Sequence, residues 1–318
     1  MNINYSISQK LHKLERKINK GNLTKSKYLV IRRKTNHPGL GLFAYYITML
    51  AWIDYALRND MIPVIDMQNY ENQYHEVGQV GKINTWELFF EQPCGVSVEE
   101  ALTSGKARYV WSDIPEYHPN DSLDFLYNKE IVAYYHTVAQ KYIRYQSDVW
   151  EYLNQQEKRI FGAADQSKIL GILARGTDYT GRRPYFNPIQ PEISEMYPFI
   201  DRYLEEYQCD HIFVATEDAE LLSRFEQRYG DKLLFTDQKR VTGVTTELCD
   251  DKQFMSVSAK MRGMQYLSSI YLLSKCKGLV AGRTAGTVGA IVLAENYEFK
   301  HVITKGRYGI EDAILEKQ

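Results

Sequence analysis

The run LGILARGTDYTGRRP, residues 170–184, reads as a buried strand that ends abruptly in charge. Leu170 to Ala174 carries no polar side chain, and Arg175 and Asp178 then stand three residues apart on the loop that leaves it. A short apolar run bounded by turn residues suits a strand covered on both faces, as in a parallel sheet. In an open α/β sheet, ligands bind in the crevice outside the carboxyl ends of the strands. An obligate cation at that place points to a phosphate or carboxylate ligand.

The same strand-and-helix rhythm continues downstream. Pro191 opens a helix with Ile193, Met196, Ile200 and Leu204 on one face. HIFVAT (211–216) is a strand ending in Glu217-Asp218, followed by a helix over 219–229, and KLLFT (232–236) is a strand ending at Asp237. A helix over 256–275 leads to GLVAG (278–282), and a Gly/Thr turn opens a last helix over 284–295. Four short strands separated by helices predict a parallel sheet with helices on both faces. Upstream, KYLVIRR (27–33), a helix from about Leu42 to Arg58 and a strand at Ile62–Ile65 ending at Asp66 form a βαβ unit. ARYVW (107–111) is a further strand, WELFF and the Tyr-rich stretch from Ile131 to Leu153 are helical, and Gln155–Gln166 is polar enough for a linker. The chain therefore reads as an α/β protein of two Rossmann-like domains facing across a cleft, residues 1–164 and 165–318.

A net charge of −1 creates no field that would draw nucleic acid, so no nucleic-acid partner is expected. The first 34 residues are locally basic, with ten Lys/Arg against one acid, Glu15. Ile7, Leu11, Leu14 and Ile18 share one face of a short helix there; its basic face would attract anionic lipid, or the helix packs on its own domain or on a partner. Cys94, Cys209, Cys249 and Cys276 are dispersed, which fits reduced thiols better than a zinc site or a disulfide framework. The start lacks the apolar core of a signal peptide, and no 18-residue apolar span follows. A cytoplasmic protein is expected, with contact at the inner membrane face through the basic helix.

Three constellations fall at the carboxyl ends of predicted strands in the second half. Arg175 stands with Thr177 and Asp178; Glu217-Asp218 can accept hydrogen bonds from paired sugar hydroxyls; Gly282 to Thr287 places small residues where amides at a helix N-terminus can approach an anion. Each also has a plain structural reading: an ion pair, an acidic helix start and a tight turn. Together they describe a site for a nucleoside diphosphate. A glycine turn at His37, Gly39 and Gly41 could bring further amides to phosphate or simply permit tight packing. Of the 25 tyrosines, Tyr179 and Tyr185 sit near the site on predicted loops, where amphipathic rings suit sugar faces. No strand is followed by G-x-G-x-x-G, which disfavours an ordinary Rossmann dehydrogenase.

LGILARGTD resembles the G-x-H-x-R-x-x-D motif of the α1,6-, α1,2- and protein O-fucosyltransferases. HIFVATEDAELL and SIYLLSKCKGLVAGRTAGTVGAIVLAE are similar to their strand-plus-acid segment and their last helix–strand–helix, and NHPGLGLFAYYITMLAWIDYALRNDMIPVID to their glycine loop. The resemblance implies a GT-B, inverting, metal-independent glycosyltransferase that uses a sugar nucleotide, most commonly GDP-fucose, as substrate and needs no cofactor. It implies that Arg175 binds the donor pyrophosphate, and that Thr284 and Ala285, with Arg283, Gly286 and Thr287 beside them, line the phosphate site. No Asp-x-Asp metal grip is present. Leu173 replaces the family's histidine, Ser269 stands where several members have the aspartate that reads guanine, and Arg183 stands where the α1,6 enzymes have a glutamate. Asp178, on the Arg175 loop, is the first candidate for the general base, or it only orients Arg175; Asp66 on the acceptor side is the runner-up. The expected function is transfer of fucose or another 6-deoxyhexose onto a glycan or lipid-linked glycan in cell-surface polysaccharide synthesis. The alternative is a non-catalytic relative that binds a nucleotide sugar or glycan.

Overall fold

In the computed structural model, the structure describes residues 27–33, 40–111, 114–115, 118–176, 183, 185–242, 255–294 and 296–310. The chain divides into two compact units. One holds the chain up to Leu40, Thr48–His118 and Val138–Gln146; the other holds Gly41–Ile47, Pro119–Thr137 and everything from Ser147 onward.

In the first unit, β1 (Tyr28–Arg32), β2 (Ile62–Ile65) and β3 (Ala107–Trp111) form a parallel sheet in the order β2-β1-β3. The long helix α1 (Leu42–Arg58) connects β1 to β2, as the apolar spacing predicts. Helix α2 (Val98–Thr103), capped by Ser97, packs Val98 and Ala101 on Tyr28, Val30 and Val64. WELFF forms a 3-10 turn over Thr85–Leu88 rather than a longer helix, because the Asn84 side chain caps Trp86 and also donates to the Ile65 carbonyl at 2.8 Å. Trp86, Phe89 and Phe90 are thereby buried together.

Besides the start of α1, the second unit holds α3 (Leu123–Tyr127), the first part of α4 (Lys129–Tyr142), which the division splits at Thr137, and α5 (Ser147–Phe161). The polar stretch 155–166 is not a linker: α5 runs through it to Phe161. Val149, Leu153, Gln156 and Phe161 are its buried side chains, and Phe161 meets Phe213 edge-on at 5.5 Å. Exposed polar residues on the outer face of an amphipathic helix are what gave the stretch its linker-like composition.

Five parallel strands follow: β4 (Ile169–Leu173), β5 (His211–Ala215), β6 (Leu233–Leu234), β7 (Gly278–Gly282) and β8 (Phe299–Ile303), in the order β6-β5-β4-β7-β8. Helices α6 (Ile193–Glu206), α7 (Ala219–Tyr229), α8 (Ala259–Ser274) and α9 (Ala285–Leu293) connect them. β4 is buried along its whole length, as its composition requires. Gly171 at its centre lets α8 approach closely; a Cβ there would stand 3.1 Å from Leu273 Cδ2 and 3.2 Å from Cys276 Cβ.

Two strands differ from expectation. KLLFT pairs only through Leu233 and Leu234, because the Thr236 carbonyl is taken by the Arg240 side chain at 2.7 Å. FKHVI, unread in the sequence, forms the edge strand β8. Its edge is covered by one side chain: the Tyr127 hydroxyl donates to the Lys300 carbonyl at 3.2 Å and accepts from the Val302 amide at 3.0 Å. That answers the exposed-edge problem without another strand. On the α6 side, His301 stacks on Phe199 at 3.8 Å and Phe299 on Tyr207 at 3.8 Å.

Burial, assisted by the nearby Arg202 charge, holds the His301 pKa below its ordinary value of 6.5. Between the two values the unfolded chain binds a proton that the native state refuses, so stability is complete above about pH 6.5 and falls as pH drops through it. We expect the urea midpoint to decline between pH 7.5 and 5.5, and His301→Phe to flatten that decline. An unchanged pH profile in the variant would contradict the assignment.

Candidate functional site

The strand order creates a topological switch point. From β4 the chain moves outward through β5 and β6, then returns to the other side of β4 as β7, and the carboxyl ends of β4 and β7 are where a sheet of this kind binds ligands. Leu173 of β4 is in register with Ala215 of β5 and Ala281 of β7. Two residues beyond these stand Arg175, Glu217 and Arg283, so three predicted site residues leave neighbouring strands at one level.

Arg175 and Glu217 are paired. The Arg175 Nε lies 3.4 Å from Glu217 Oε1, with only 13% and 11% of their side chains exposed. The same carboxylate oxygen accepts the Gly176 amide at 3.1 Å. Asp218 caps α7, accepting the amides of Glu220 at 2.8 Å and Leu221 at 3.1 Å. The two carboxylates expected to receive sugar hydroxyls are thus turned onto protein donors. The first turn of a helix has amides without carbonyl partners, and a carboxylate beside it is drawn to them. Glu217 becomes the group that orients Arg175.

After β7, Thr284 caps α9 through a 3.0 Å bond from the Thr287 amide, and the Thr287 hydroxyl donates to the Gly282 carbonyl at 2.6 Å. Both threonines are buried. The amides of Ala285 and Gly286 are by helix geometry without intrahelical acceptors, and no side chain among the described residues caps them. They are the donors available to an anion at the positive end of the helix dipole. Gly286 is required here: a Cβ would stand 2.8 Å from the Tyr266 hydroxyl and 3.3 Å from Leu173 Cδ2. Leu173 therefore packs under the first turn of α9. Gly41, just before α1, lies beside the same Tyr266 ring, 3.7 Å from Cε1 to an added Cβ.

Arg283 departs from its predicted role. Its Nε donates to the Asp121 carbonyl at 2.7 Å, and its other nitrogen stands 3.5 Å from the Asp121 carboxylate, which also accepts Arg307 at 2.7 Å. Burial pulls the Arg283 pKa below its ordinary value and the Asp121 charge opposes that shift. The side chain anchors a loop. Ser269 is likewise buried, its hydroxyl 3.1 Å from Gln238 Oε1 and 3.1 Å from the Gln265 carbonyl. Gln238 and Arg240, which the sequence reading missed, hold the loop after β6 against the end of β5: both donate to the Thr216 carbonyl, at 3.3 and 3.2 Å.

In the first unit, Asp66 is fully buried at the end of β2. It pairs with Arg32 at 2.6 Å and accepts from the Asn69 side chain at 2.8 Å and from the amides of Gln68 and Asn69 at 3.0 and 3.1 Å. A carboxylate engaged on both oxygens is suited to holding the chain, and a role as acceptor-side base is displaced by these bonds. Tyr185 is 75% exposed on a loop. Thr177, Asp178, Tyr179, His37 and Gly39 lie outside the described residues.

No protein-family profile and no curated protein matches the sequence. Solved structures do match. The NodZ alpha-1,6-fucosyltransferase co-crystallised with GDP has a TM-score of 0.52 at 15% identity, over 85% of this chain and 93% of that one. NodZ from Bradyrhizobium gives 0.52 at 14%, over 85% and 94%. A mutant FUT1 of Arabidopsis thaliana in complex with GDP gives 0.51 at 14%, over 91% and 76%. The fold is that of the GT-B fucosyltransferases. The expected fold class is thus observed, at 14–15% sequence identity. Within this fucosyltransferase-type fold, the Arg175 loop and the α9 N-terminus flank the switch point between β4 and β7.

Gly176 tests the tightness of the Arg175–Glu217–Asp218 corner. A Cβ there would stand 2.2 Å from Asp218 Oδ2, the carboxylate that caps α7. We expect Gly176→Ala to cost about 1–3 kcal/mol through overpacking and a weakened cap, read as a lower urea midpoint. Unaltered stability would show that the corner is looser than described.

Proposed function

We propose that the chain is an inverting glycosyltransferase that takes a GDP-linked 6-deoxyhexose, fucose foremost, and passes the sugar to a glycan or lipid-linked glycan acceptor in cell-surface polysaccharide synthesis. The observation that carries this reading is the placement of Arg175 and of the α9 N-terminus, whose Ala285 and Gly286 amides no side chain among the described residues caps, at the carboxyl ends of adjacent strands. The GDP in the crystals of structural neighbours fits it.

The chemistry follows from charge. When the anomeric C–O bond breaks, negative charge develops on the departing diphosphate. Arg175, already oriented by Glu217, and the amides of Ala285 and Gly286 would meet that charge without reorganising, which is how a fixed site favours a transition state over its ground state. These donors supply positive potential of the kind a divalent cation would otherwise bring. Inversion also requires a base on the face opposite the leaving group. Asp178, three residues after Arg175, is proposed for it, and Asp178→Asn should remove transfer while retaining nucleotide binding. The basic residues of the N-terminal segment would bring the protein to an anionic membrane surface where lipid-linked acceptors reside.

The second reading, a non-catalytic binder of nucleotide sugars, is favoured by Leu173, Ser269 and Arg183 standing where related enzymes carry histidine, aspartate and glutamate. Turnover separates the two. GDP should raise the melting temperature more than UDP or dTDP, because a ligand that binds only the folded state stabilises it in proportion to its affinity. Incubation with GDP-fucose should release GDP slowly even without acceptor. Arg175→Ala should lower this rate by about 10²–10³, the effect of removing one preorganised oxyanion donor. Wild-type rates in that variant would sink the assignment; a GDP-induced shift with no turnover in the wild type would select the binding reading.

A further inference from the structure

Tyr185 and Phe186 are large aromatic side chains left in solvent, 75% and 51% exposed. Their ring centroids are 6.4 Å apart. Phe186 has φ +69°, a left-handed conformation that a bulky residue adopts only where its surroundings impose it. Those surroundings are well defined. The Phe186 amide donates to the Tyr308 carbonyl at 2.9 Å, the Tyr308 amide to the Asn187 carbonyl at 3.0 Å, and the Ile189 amide to the Gly306 carbonyl at 3.0 Å. Arg307 donates to the Phe186 carbonyl at 3.0 Å and places its guanidinium 5.0 Å from the Phe186 ring centre. Gly309 leaves room for Tyr185, whose Cδ2 would be 2.4 Å from a Cβ there.

The pair is also tied to the anion-binding end of the sheet. Arg307 binds Asp121, and Asp121 binds Arg283 in the turn before α9. Gly306 to Gly309 follow the carboxyl end of β8, so the rings lie on the ligand side of the sheet. Strain and bracing are thus used to hold two rings out of the core. The side chain of Asn187, half-buried next to them, has no hydrogen-bond partner among the described residues.

Two rings are too small for a stable protein interface, which needs about 800 Å² on each side, and too few for a membrane anchor. They match the area of one sugar ring, whose C–H face packs on aromatic carbon while an adjacent amide takes its hydroxyls. We propose that Tyr185 and Phe186 form a stacking platform for one pyranose ring of the acceptor glycan, with Asn187 hydrogen-bonded to that ring's hydroxyls. This rests on the glycosyltransferase reading of the neighbouring crevice.

The test is retention on an array of immobilised neutral and acidic oligosaccharides, in the absence of nucleotide, together with the melting temperature. Wild-type protein should retain a subset of the glycans. Phe186→Gly should lose that retention at least tenfold with the melting temperature unchanged or raised, since glycine adopts positive φ freely. A ring present only for the fold would behave oppositely, lowering the melting temperature and leaving retention intact. Tyr185→Ala, at a largely solvated position, should show the same loss and decides the matter if Phe186→Gly folds poorly. No retained glycan in the wild type, or equal retention in both variants, overturns the platform. A missing GDP-induced shift in the wild type would instead overturn the nucleotide reading, which the array does not touch.

Discussion

The contact between Arg175 and Glu217 is the interaction on which the site depends. β4 is central and buried, so the first charge after it cannot turn inward without a partner, and the next strand supplies one at the same level. Glu217 accepts the Gly176 amide as well, which fixes the backbone from which the guanidinium extends. Gly176 in turn has no side chain because Asp218 occupies that space while capping α7. One carboxylate aims the cation and its neighbour ends the loop.

Much of the fold was legible because its signals are local. The spacing in α1, the apolar run of β4, the strands at 62–65, 107–111 and 278–282 and the helix at 219–229 are stated by periodicity and turn residues within each window. The misread elements owe their state to distant groups. α5 resembles a linker until Phe213 is known to receive Phe161; β6 is cut short by Arg240; β8 is secured by Tyr127, more than 170 residues earlier in the chain. Site residues divide the same way. The sequence shows that Glu217, Asp218 and Arg283 stand at strand ends, but not that Gly176, an uncapped helix turn and Asp121 are there to claim them. Asp121 is a single acid in a Pro/Asn-rich stretch, with no pattern to mark it as the residue that joins Arg283 to Arg307.

The carboxyl end of the sheet around the candidate site is held by side chains from neighbouring elements. Gln190, before α6, donates to the Arg283 carbonyl at 3.0 Å, and a side chain on Gly282 would collide with it, at 2.4 Å from Oε1. Tyr266 from α8 bounds the first turn of α9 beside Gly41. These braces crowd the turn, and no side chain among the described residues caps the amides of Ala285 and Gly286. A backbone donor held in this way costs nothing to reorganise when an anion arrives.

Charge arithmetic explains why the departures from the related motifs are mutually consistent. With Glu217 paired to Arg175 and the Asp218 carboxylate in the same corner, one cation faces two anions, and the α9 terminus contributes only about half a positive charge. A diphosphate would then meet less potential than a free arginine supplies. Arg283 does not make up the difference, because Asp121 already draws it away. In sequence, Arg183, exposed and next to Arg182, stands where the α1,6 enzymes that the chain resembles have a glutamate. Exchanging an anion for a cation at that place moves the local charge by two units toward anion binding, and it removes a carboxylate from the set that could take the acceptor proton. Under the proposed reaction, that one exchange would both favour an anionic leaving group and leave fewer bases on the segment, so that Asp178 would bear on the reaction and Arg175 on the ligand.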